Sequence, residues 1–280
     1  MRVMRSQMSA FNKNTAVRIA VSVVAIPVIL WAVLYGHIPF MVFTLAVGMI
    51  AYYEFVRITE KKKANPQLLM GLAAILFLQV NEYWNITEFG IAILIIALAV
   101  LLRELFRNRG SAIMNLGTTI LGIFYIGLFT LTLLMIREYF PVYEQGGYLI
   151  LAMFASIWIC DSAAYFGGLS LGKHRLMERV SPKKSWEGAI FGFGGAILSY
   201  YLAHIWILDF LTMTDVIVMG VITGTIGQMG DLIESLIKRD AEVKDSSALI
   251  PGHGGMFDRF DSMLFVSPVV YIYLKLFVTI

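Results

Sequence analysis

The acidic side chains near the C-terminus are spaced so that they could hold a cation beside phosphate groups. Asp231, Ser235 and Lys238 stand at positions i, i+4 and i+7, which places them on one face of a helix. Asp258 and Asp261 are three residues apart and can share a helix face in the same way. Carboxylate oxygens suit Mg²⁺, which is usually held by one or two carboxylates and the phosphates of a substrate. These residue types therefore predict phosphoryl or nucleotidyl transfer.

The residues around this set support the same chemistry, but each has a plainer interpretation. Asp231 lies near the end of an apolar run, where a carboxylate is costly unless it is paired or bound to a cation. Lys238 and Arg239 would neutralise phosphate charge. Alternatively, Glu234 and Lys238 form an ordinary helix ion pair at i, i+4, and residues 258–261 form a solvated turn. For any single residue both interpretations remain open.

An upstream segment carries a second group of polar residues. Asp161 lies inside the apolar run WICDSAAYFGG, and Lys173, Lys183 and Lys184 follow it. Residues 167–173 fit the spacing G-x-x-x-x-G-K, but His174 stands where a P-loop has Ser or Thr. The motif also follows a membrane helix instead of a strand, so we reject a P-loop. The lysines suit a triphosphate or a lipid phosphate, or they are simply positive charges on the cytoplasmic side.

The composition defines the environment of this chemistry. Of 280 residues, 59% are hydrophobic and 15% are charged, whereas a soluble protein has about 45–50% apolar and about 25% charged residues. This excludes a soluble enzyme, a disordered protein and a nucleic-acid-binding basic domain, and it leaves an integral membrane protein. The single cysteine, Cys160, excludes an intrachain disulfide and a cysteine metal site. The first apolar stretch is too long for a cleaved signal peptide.

Nine apolar stretches are candidates for membrane-spanning helices, which need about 20 residues each. They are continuous and do not alternate, so strands are not expected, and the predicted fold is an all-α, polytopic membrane helical bundle. The third and fourth stretches are short, and a shallow or re-entrant pair there would leave the later topology unchanged. The nine stretches are residues 17–36, 39–56, 66–82, 86–102, 114–135, 148–168, 188–208, 214–236 and 262–280.

The basic residues predict the orientation of the chain. Twenty of the 22 Lys and Arg residues lie in the N-terminal tail or the even-numbered connections, and the exceptions are Arg137 and Lys275. Because cytoplasmic loops carry an excess of basic residues, we expect a cytoplasmic N-terminus and both polar segments on the cytoplasmic side. We divide the chain into an N-terminal membrane-spanning region, 1–136, and a C-terminal catalytic region, 137–280, with about five and about four helices.

The stretch Ser235–Asp261, SLIKRDAEVKDSSALIPGHGGMFDRFD, resembles the signature of phosphatidate cytidylyltransferases (CDP-diacylglycerol synthases), and upstream segments are similar to the same family. The first five stretches match only in hydropathy. The downstream positions are Ser235, Lys238, Arg239, Lys244, Asp245, His253, Gly254, Gly255, Asp258, Arg259 and Asp261. The upstream ones are Asp161, Ala164, Tyr165, Phe166, Gly168, Gly172, Lys173, His174, Ser181, Pro182, Lys183, Lys184, Glu187 and Gly188.

The resemblance implies a Mg²⁺-dependent reaction in which CTP and phosphatidic acid give CDP-diacylglycerol and pyrophosphate. It implies metal ligands at Asp231, Asp258 and Asp261, with Ser235 and Lys238 beside them as catalytic residues. It also implies a second, monovalent cation such as K⁺, a homodimer, and a multi-pass protein of the cell membrane. The residues expected to bind the substrates are Asp161, Lys173, Lys183, Lys184, Arg239, Lys244, Asp245, His253, Gly254, Gly255 and Arg259.

Two other functions fit parts of the sequence. A related enzyme would act on another lipid phosphate or use CTP to phosphorylate a polyprenol-type alcohol, and release of CDP instead of pyrophosphate would reveal such a kinase. An ion-coupled transporter is the third candidate, because intramembrane carboxylates such as Asp161 and Asp231 often mark ion paths. No clear chain of acidic residues crosses to the outer side, however, which favours the transferase.

Overall fold

The structure is a computed structural model that describes residues 2–252 and 254–278, with side chains from residue 19 onward. Each of the nine predicted stretches coincides with a helical segment in it. The all-α membrane fold is confirmed. The helices are α1 (Arg2–Tyr35), α2 (His37–Glu60), α3 (Leu68–Trp84), α4 (Phe89–Leu105), α5 (Ala112–Gly122), α6 (Phe129–Arg137), α7 (Tyr143–Leu171), α8 (Trp186–Trp206), α9 (Met213–Ile222), α10 (Gln228–Asp240) and α11 (Phe257–Phe277).

Six helical segments of the described chain are long and apolar enough to cross a membrane. They are α2, α5 with α6, α7, α8, α9 with α10, and α11. Helices α3 and α4 have 17 residues each, or about 25 Å at about 1.5 Å per residue. This is less than the hydrocarbon core of about 30 Å. The count of nine spans and the side of the N-terminus therefore stay predictions.

Two of the long segments are interrupted by π-helical turns. Ile123–Leu128 connects α5 to α6, and Thr223–Gly227 connects α9 to α10. A π-helical turn adds a residue to the helix and rotates the chain that follows, and such turns are frequent at functional sites. Here one turn contains Tyr125, and the other ends four residues before Asp231. The second interruption therefore lies beside Asp231, which the sequence singled out, and the first carries a buried tyrosine.

The core is built around α2 and α11. Helix α11 packs against α2, α6, α7, α9 and α10, and α2 packs against α1, α3, α5 and α6. Buried aromatic side chains fill this core: Phe55 of α2 meets Phe257 of α11 at 6.3 Å between ring centroids, and Tyr52 packs against α3 and α5. The regions 1–136 and 137–280 thus share this core, and their division into two regions stays a prediction.

Glycines allow α8 to approach its neighbours closely. A Cβ atom at Gly188 would lie 2.6 Å from a backbone oxygen of α7, and one at Gly192 would lie 2.9 Å from another. A Cβ at Gly220 or Gly224 would lie 2.8 or 3.0 Å from a Cα atom of α8. Both glycine pairs therefore serve close helix packing, as their small-x-x-x-small spacing predicts.

The connection between α7 and α8 contains a small hairpin, which corrects the expectation that strands are absent. Strand β1 (Arg175–Met177) pairs antiparallel with β2 (Ser181–Ser185). The next residue, Trp186, donates its backbone N–H to the His174 carbonyl at 2.9 Å. Helix periodicity and hydropathy do not detect such a short extended segment outside the apolar runs. The hairpin brings Lys183 and Lys184 to the end of the bundle.

The close contact between α7 and α8 predicts different effects at two neighbouring glycines. Gly192→Val places a branched side chain against the α7 backbone, and overpacking of this kind costs about 1–3 kcal/mol. Gly194→Val is the matched control, because a Cβ there meets nothing within 4 Å. We expect thermal unfolding in detergent, followed by tryptophan fluorescence, to show a lower Tm for Gly192→Val only. Equal melting temperatures would contradict the packing described here.

Candidate active site

Three carboxylates from α10 and α11 converge at one end of the bundle. Oxygen atoms of Asp231, Glu234 and Asp261 lie within 4.8 Å of one another. The two helices approach closely here, because a Cβ at Gly230 would lie 2.8 Å from the Asp261 carbonyl oxygen and 2.9 Å from the Phe265 side chain. Asp231 and Glu234 are three residues apart on one helix, so they present their carboxylates to the same side.

Two lysines place positive charge against these carboxylates. The Lys238 ammonium is buried and pairs with Glu234 and with Asp258, the latter at 2.6 Å. The Lys184 ammonium, from β2, lies 2.5 Å from Asp231. Buried charges are normally paired or bound to a metal, since an isolated charge is very costly in an apolar surrounding. The expected Glu234–Lys238 helix pair is thus present, but it is part of a larger buried network.

Asp258 is bonded mainly to the connection between α10 and α11. One of its oxygens accepts hydrogen bonds from the Ser246 N–H at 2.9 Å, the Ser246 hydroxyl at 2.8 Å and the Gly255 N–H at 2.8 Å. Its other oxygen faces Lys238. Of the three predicted metal ligands, the structure therefore brings Asp231 and Asp261 together with Glu234. Asp258 lies outside this group, on the other side of the Lys238 ammonium, which contacts both Glu234 and Asp258.

Glu54 of α2 holds the same connection and does not pair with Arg57, three residues away on its own helix. Its buried carboxylate accepts hydrogen bonds from two hydroxyls and two backbone N–H groups of the connection and α11. The donors are Ser246 Oγ at 3.1 Å, which shares its one proton between Glu54 and Asp258, Ser247 Oγ at 2.6 Å, Met256 N at 3.0 Å and Phe257 N at 2.8 Å. Arg57 instead pairs with Glu60 at 3.0 Å on the surface. A glutamate inside a predicted span was the only available signal.

A cavity of about 610 Å³ opens beside the carboxylates and has a polar end and an apolar end. Its polar lining includes Asp161, Asp245 and Arg259 together with Asp231, Lys238, Asp258 and Asp261. Its apolar lining comes from α1, α2, α7 and α11, for example Val21, Ile29, Phe43, Phe154 and Met263. The cavity therefore fits a molecule with a charged head and an apolar tail.

The other residues that the sequence predicted for the site lie in the α7–α8 connection, on α10 and in the α10–α11 connection. Ser235 donates a hydrogen bond to Asp231 at 3.3 Å, and the Lys173 N–H donates to Glu187 at 3.1 Å. Gly254 adopts φ +83°, and its carbonyl accepts from the Ile250 N–H at 2.9 Å, so it forms a turn near Asp258. The side chains of Lys183, Arg239 and Lys244 are exposed. His253 lies outside the described residues.

Tyr125 is a second residue that the sequence did not single out. It is 5% exposed, and its hydroxyl has no hydrogen-bond partner in the part of the chain that is described. The hydroxyl is close enough to Asp231, Glu234 and Asp261 for electrostatic interaction. Phe257 and Phe265 hold the ring, with centroids 5.6 and 5.2 Å away. Its position inside a long apolar run gives no sequence signal.

The chain belongs to the cytidylyltransferase family, whose sequence model matches residues 16–277. It is 35% identical over 269 residues to the phosphatidate cytidylyltransferase of Bacillus subtilis, covering 93% of this chain and 97% of that protein. It is 32% identical to the phosphatidate cytidylyltransferase of Brucella suis, with 94% of each chain covered. The phosphatidate cytidylyltransferase of Staphylococcus aureus is also 32% identical, with 92% of this chain and 98% of that protein covered. The resemblance seen in the sequence is thus confirmed.

The Glu54 contacts predict a local effect of Glu54→Gln on the α10–α11 connection. The amide cannot accept all four hydrogen bonds, and each unsatisfied buried group costs about 1–3 kcal/mol. We expect faster hydrogen exchange at the amides of Met256 and Phe257 than in the wild type. Glu60→Gln, on the same helix but at the surface, is the control and should leave both amides protected. Unchanged exchange in Glu54→Gln would contradict this role.

Proposed function

We propose that this protein is a phosphatidate cytidylyltransferase that forms CDP-diacylglycerol and pyrophosphate from CTP and phosphatidic acid. The observation that carries the proposal is the acidic cluster at the polar end of a cavity whose other end is apolar. Such a cavity accommodates the phosphate of a lipid near the cluster and its acyl chains among the apolar side chains. Membership of the cytidylyltransferase family supports CTP as the second substrate. It does not favour the lipid kinase or the ion-coupled transporter as alternative functions.

The cluster fits a divalent cation such as Mg²⁺. Glu234 is fully buried, and apart from the Lys238 ammonium beside one of its oxygens, its carboxylate has no hydrogen-bond partner among the described residues. Asp231, Glu234 and Asp261 together offer three oxygen ligands, the type that Mg²⁺ prefers. When bound, the ion would supply positive charge for the triphosphate and the leaving pyrophosphate. The predicted ligand Asp258 would support this site through Lys238.

The residues of the chain would mainly position the phosphates and neutralise their charge. An oxygen of the phosphatidate phosphate attacks the α-phosphorus of CTP. The bond between that phosphorus and the oxygen bridging the α- and β-phosphates breaks, and pyrophosphate leaves. The lipid phosphate is already anionic at neutral pH, so no strong general base is required. Lys184 and Arg259 lie where they would contact phosphates, because both are close to the carboxylates that line the cavity.

Three further features are part of this proposal. The active site would face the cytoplasm, since the loops that form it carry the basic residues typical of that side. A second, monovalent cation such as K⁺ would balance the remaining carboxylate charge near Asp161. The protein would act as a homodimer, and the mass of the detergent-solubilised protein tests this feature separately from activity.

Asp231→Asn tests the proposed reaction. The substitution removes a cluster carboxylate without changing its size, and we expect metal-dependent pyrophosphate release from CTP and phosphatidic acid to fall about 100-fold or more. Asp240→Asn, on the same helix and exposed, is the control and should retain activity. Thermal unfolding of both variants should match the wild type. Near-normal turnover of Asp231→Asn, or release of CDP in place of pyrophosphate by the wild type, would refute the proposal.

A comparison of Glu234→Gln with Asp258→Asn tests which carboxylates form the cation site. We expect Glu234→Gln to raise the Mg²⁺ concentration for half-maximal activity about 10-fold or more, since it removes a direct ligand. Asp258→Asn should instead increase hydrogen exchange at Ser246 and Gly255, whose N–H groups it releases. The reverse pattern would assign the metal to Asp258.

A further inference from the structure

A second polar cavity, of about 480 Å³, lies where α2 ends and α3 begins, against the C-terminal end of α4. It shares no lining residue with the active-site cavity. It lies at the same end of the bundle, because Lys62, which follows α2, pairs with Asp240 of α10 at 3.6 Å. Its polar and aromatic lining includes Asn65, Gln67, Arg103, Phe106, Arg107 and Arg109.

Three arginines and one carboxylate line this cavity, so its lining carries a net positive charge. The carboxylate, Glu60, pairs with Arg57 at 3.0 Å. Arg107 pairs with Glu104 at 2.9 Å. Arg103 and Arg109 form no ion pair with a carboxylate among the described residues, although both line the cavity. The guanidinium group offers up to five N–H donors in a planar array that matches a phosphate. Two such groups without a carboxylate partner therefore indicate an anionic ligand.

The wall of the cavity is fixed by a buried hydrogen-bond network. Glu104, which is 5% exposed, accepts hydrogen bonds from Gln67 Nε2 and Asn115 Nδ2, each at 2.8 Å. The side-chain oxygens of Asn115 and Thr119 in turn accept from the backbone N–H groups of Asn65 at 2.7 Å and Gln67 at 2.9 Å. These bonds hold the arginine-bearing end of α4 against the start of α3 before any ligand binds.

Gln67 offers an unpaired hydrogen-bond acceptor that favours a ligand with a donor group. It is 1% exposed, and its Oε1 atom accepts no hydrogen bond in the described part of the chain. Buried acceptors are normally satisfied, so a donor group such as a hydroxyl would complete this one. Gln67 also precedes the first turn of α3 and provides no side-chain cap. The partial positive charge of a helix N-terminus favours an anion there.

The surroundings of the cavity place it at the level of lipid headgroups. Leu69, Leu105 and Phe106 are 68%, 74% and 85% exposed around its rim, and such side chains are stable at the membrane surface beside acyl chains. Basic pockets between membrane helices typically bind the headgroups of anionic lipids. A soluble phosphate would gain nothing from this apolar rim.

We propose that this cavity binds an anionic phospholipid with a hydroxyl-bearing headgroup, such as a phosphoglycerol lipid, at a site separate from the active site. Arg103 and Arg109 bind the phosphate, and the buried amide of Gln67 selects a headgroup that can donate a hydrogen bond. The acyl chains lie along the exposed apolar ends of α3 and α4.

Native mass spectrometry of the purified full chain tests this proposal. The protein is released from micelles that contain equal amounts of phosphatidylglycerol and phosphatidylcholine, and the lipids that stay bound are counted. We expect the wild type to retain phosphatidylglycerol preferentially, and the double variant Arg103→Gln with Arg109→Gln to lose that preference at least fivefold. Arg107 is left intact, because it belongs to the buried network.

The matched control removes the same charge outside the cavity. Lys61→Gln with Lys63→Gln neutralises two exposed cations of the α2–α3 connection, which do not line the cavity, and should keep the preference. If the Arg103 and Arg109 double variant is destabilised in thermal unfolding, Arg109→Gln alone gives the test, since this side chain is exposed. An unchanged preference in the arginine variants would overturn the proposal. Displacement of the lipid by millimolar glycerol phosphate would overturn its assignment to a lipid.

Discussion

The structure of the candidate active site depends on the burial of the Lys238 ammonium between two carboxylates. Glu234 lies on the same helix, and Asp258 lies at the start of α11. Removing one partner would leave an unpaired charge among apolar helices, which costs about 3–5 kcal/mol. This requirement fixes α10 against α11, and it brings Asp231 and Asp261 close enough to form the acidic cluster. The position of the acidic cluster thus follows from the pairing of a neighbouring lysine.

A second buried carboxylate, on α2, connects the N-terminal region to the pairing of α10 with α11. Glu54 of α2 accepts four hydrogen bonds from the α10–α11 connection and the start of α11. Close backbone approach is essential there, because a Cβ at Gly255 would lie 2.5 Å from a Glu54 oxygen. The glycines of this turn therefore allow Glu54 and Asp258 to approach the backbone and hold the connection in place.

Much of the fold and part of the site could be predicted from the sequence. Hydropathy located the nine helical segments seen in the described residues, because apolar runs need little context to be recognised. The i, i+4 and i+7 spacing correctly placed Asp231, Ser235 and Lys238 on one helix. Residues that act across long sequence distances were harder to find. Glu54 is about 200 positions from the loop that it holds, and Tyr125 lies in an apolar run without any local signal.

The sequence by itself determined the membrane environment, the all-α architecture and the family, because these depend on composition, periodicity and a motif that is continuous in the chain. Only the tertiary structure decided which carboxylates lie together. The sequence predicted Asp258 as a ligand and Glu234 as a helix ion pair, yet Glu234 joins Asp231 and Asp261, and Asp258 faces Lys238 and the loop. The physical reason is that a buried carboxylate takes its role from the charges and donors that the packing of α2, α10 and α11 brings to it, and these partners are distant in the chain.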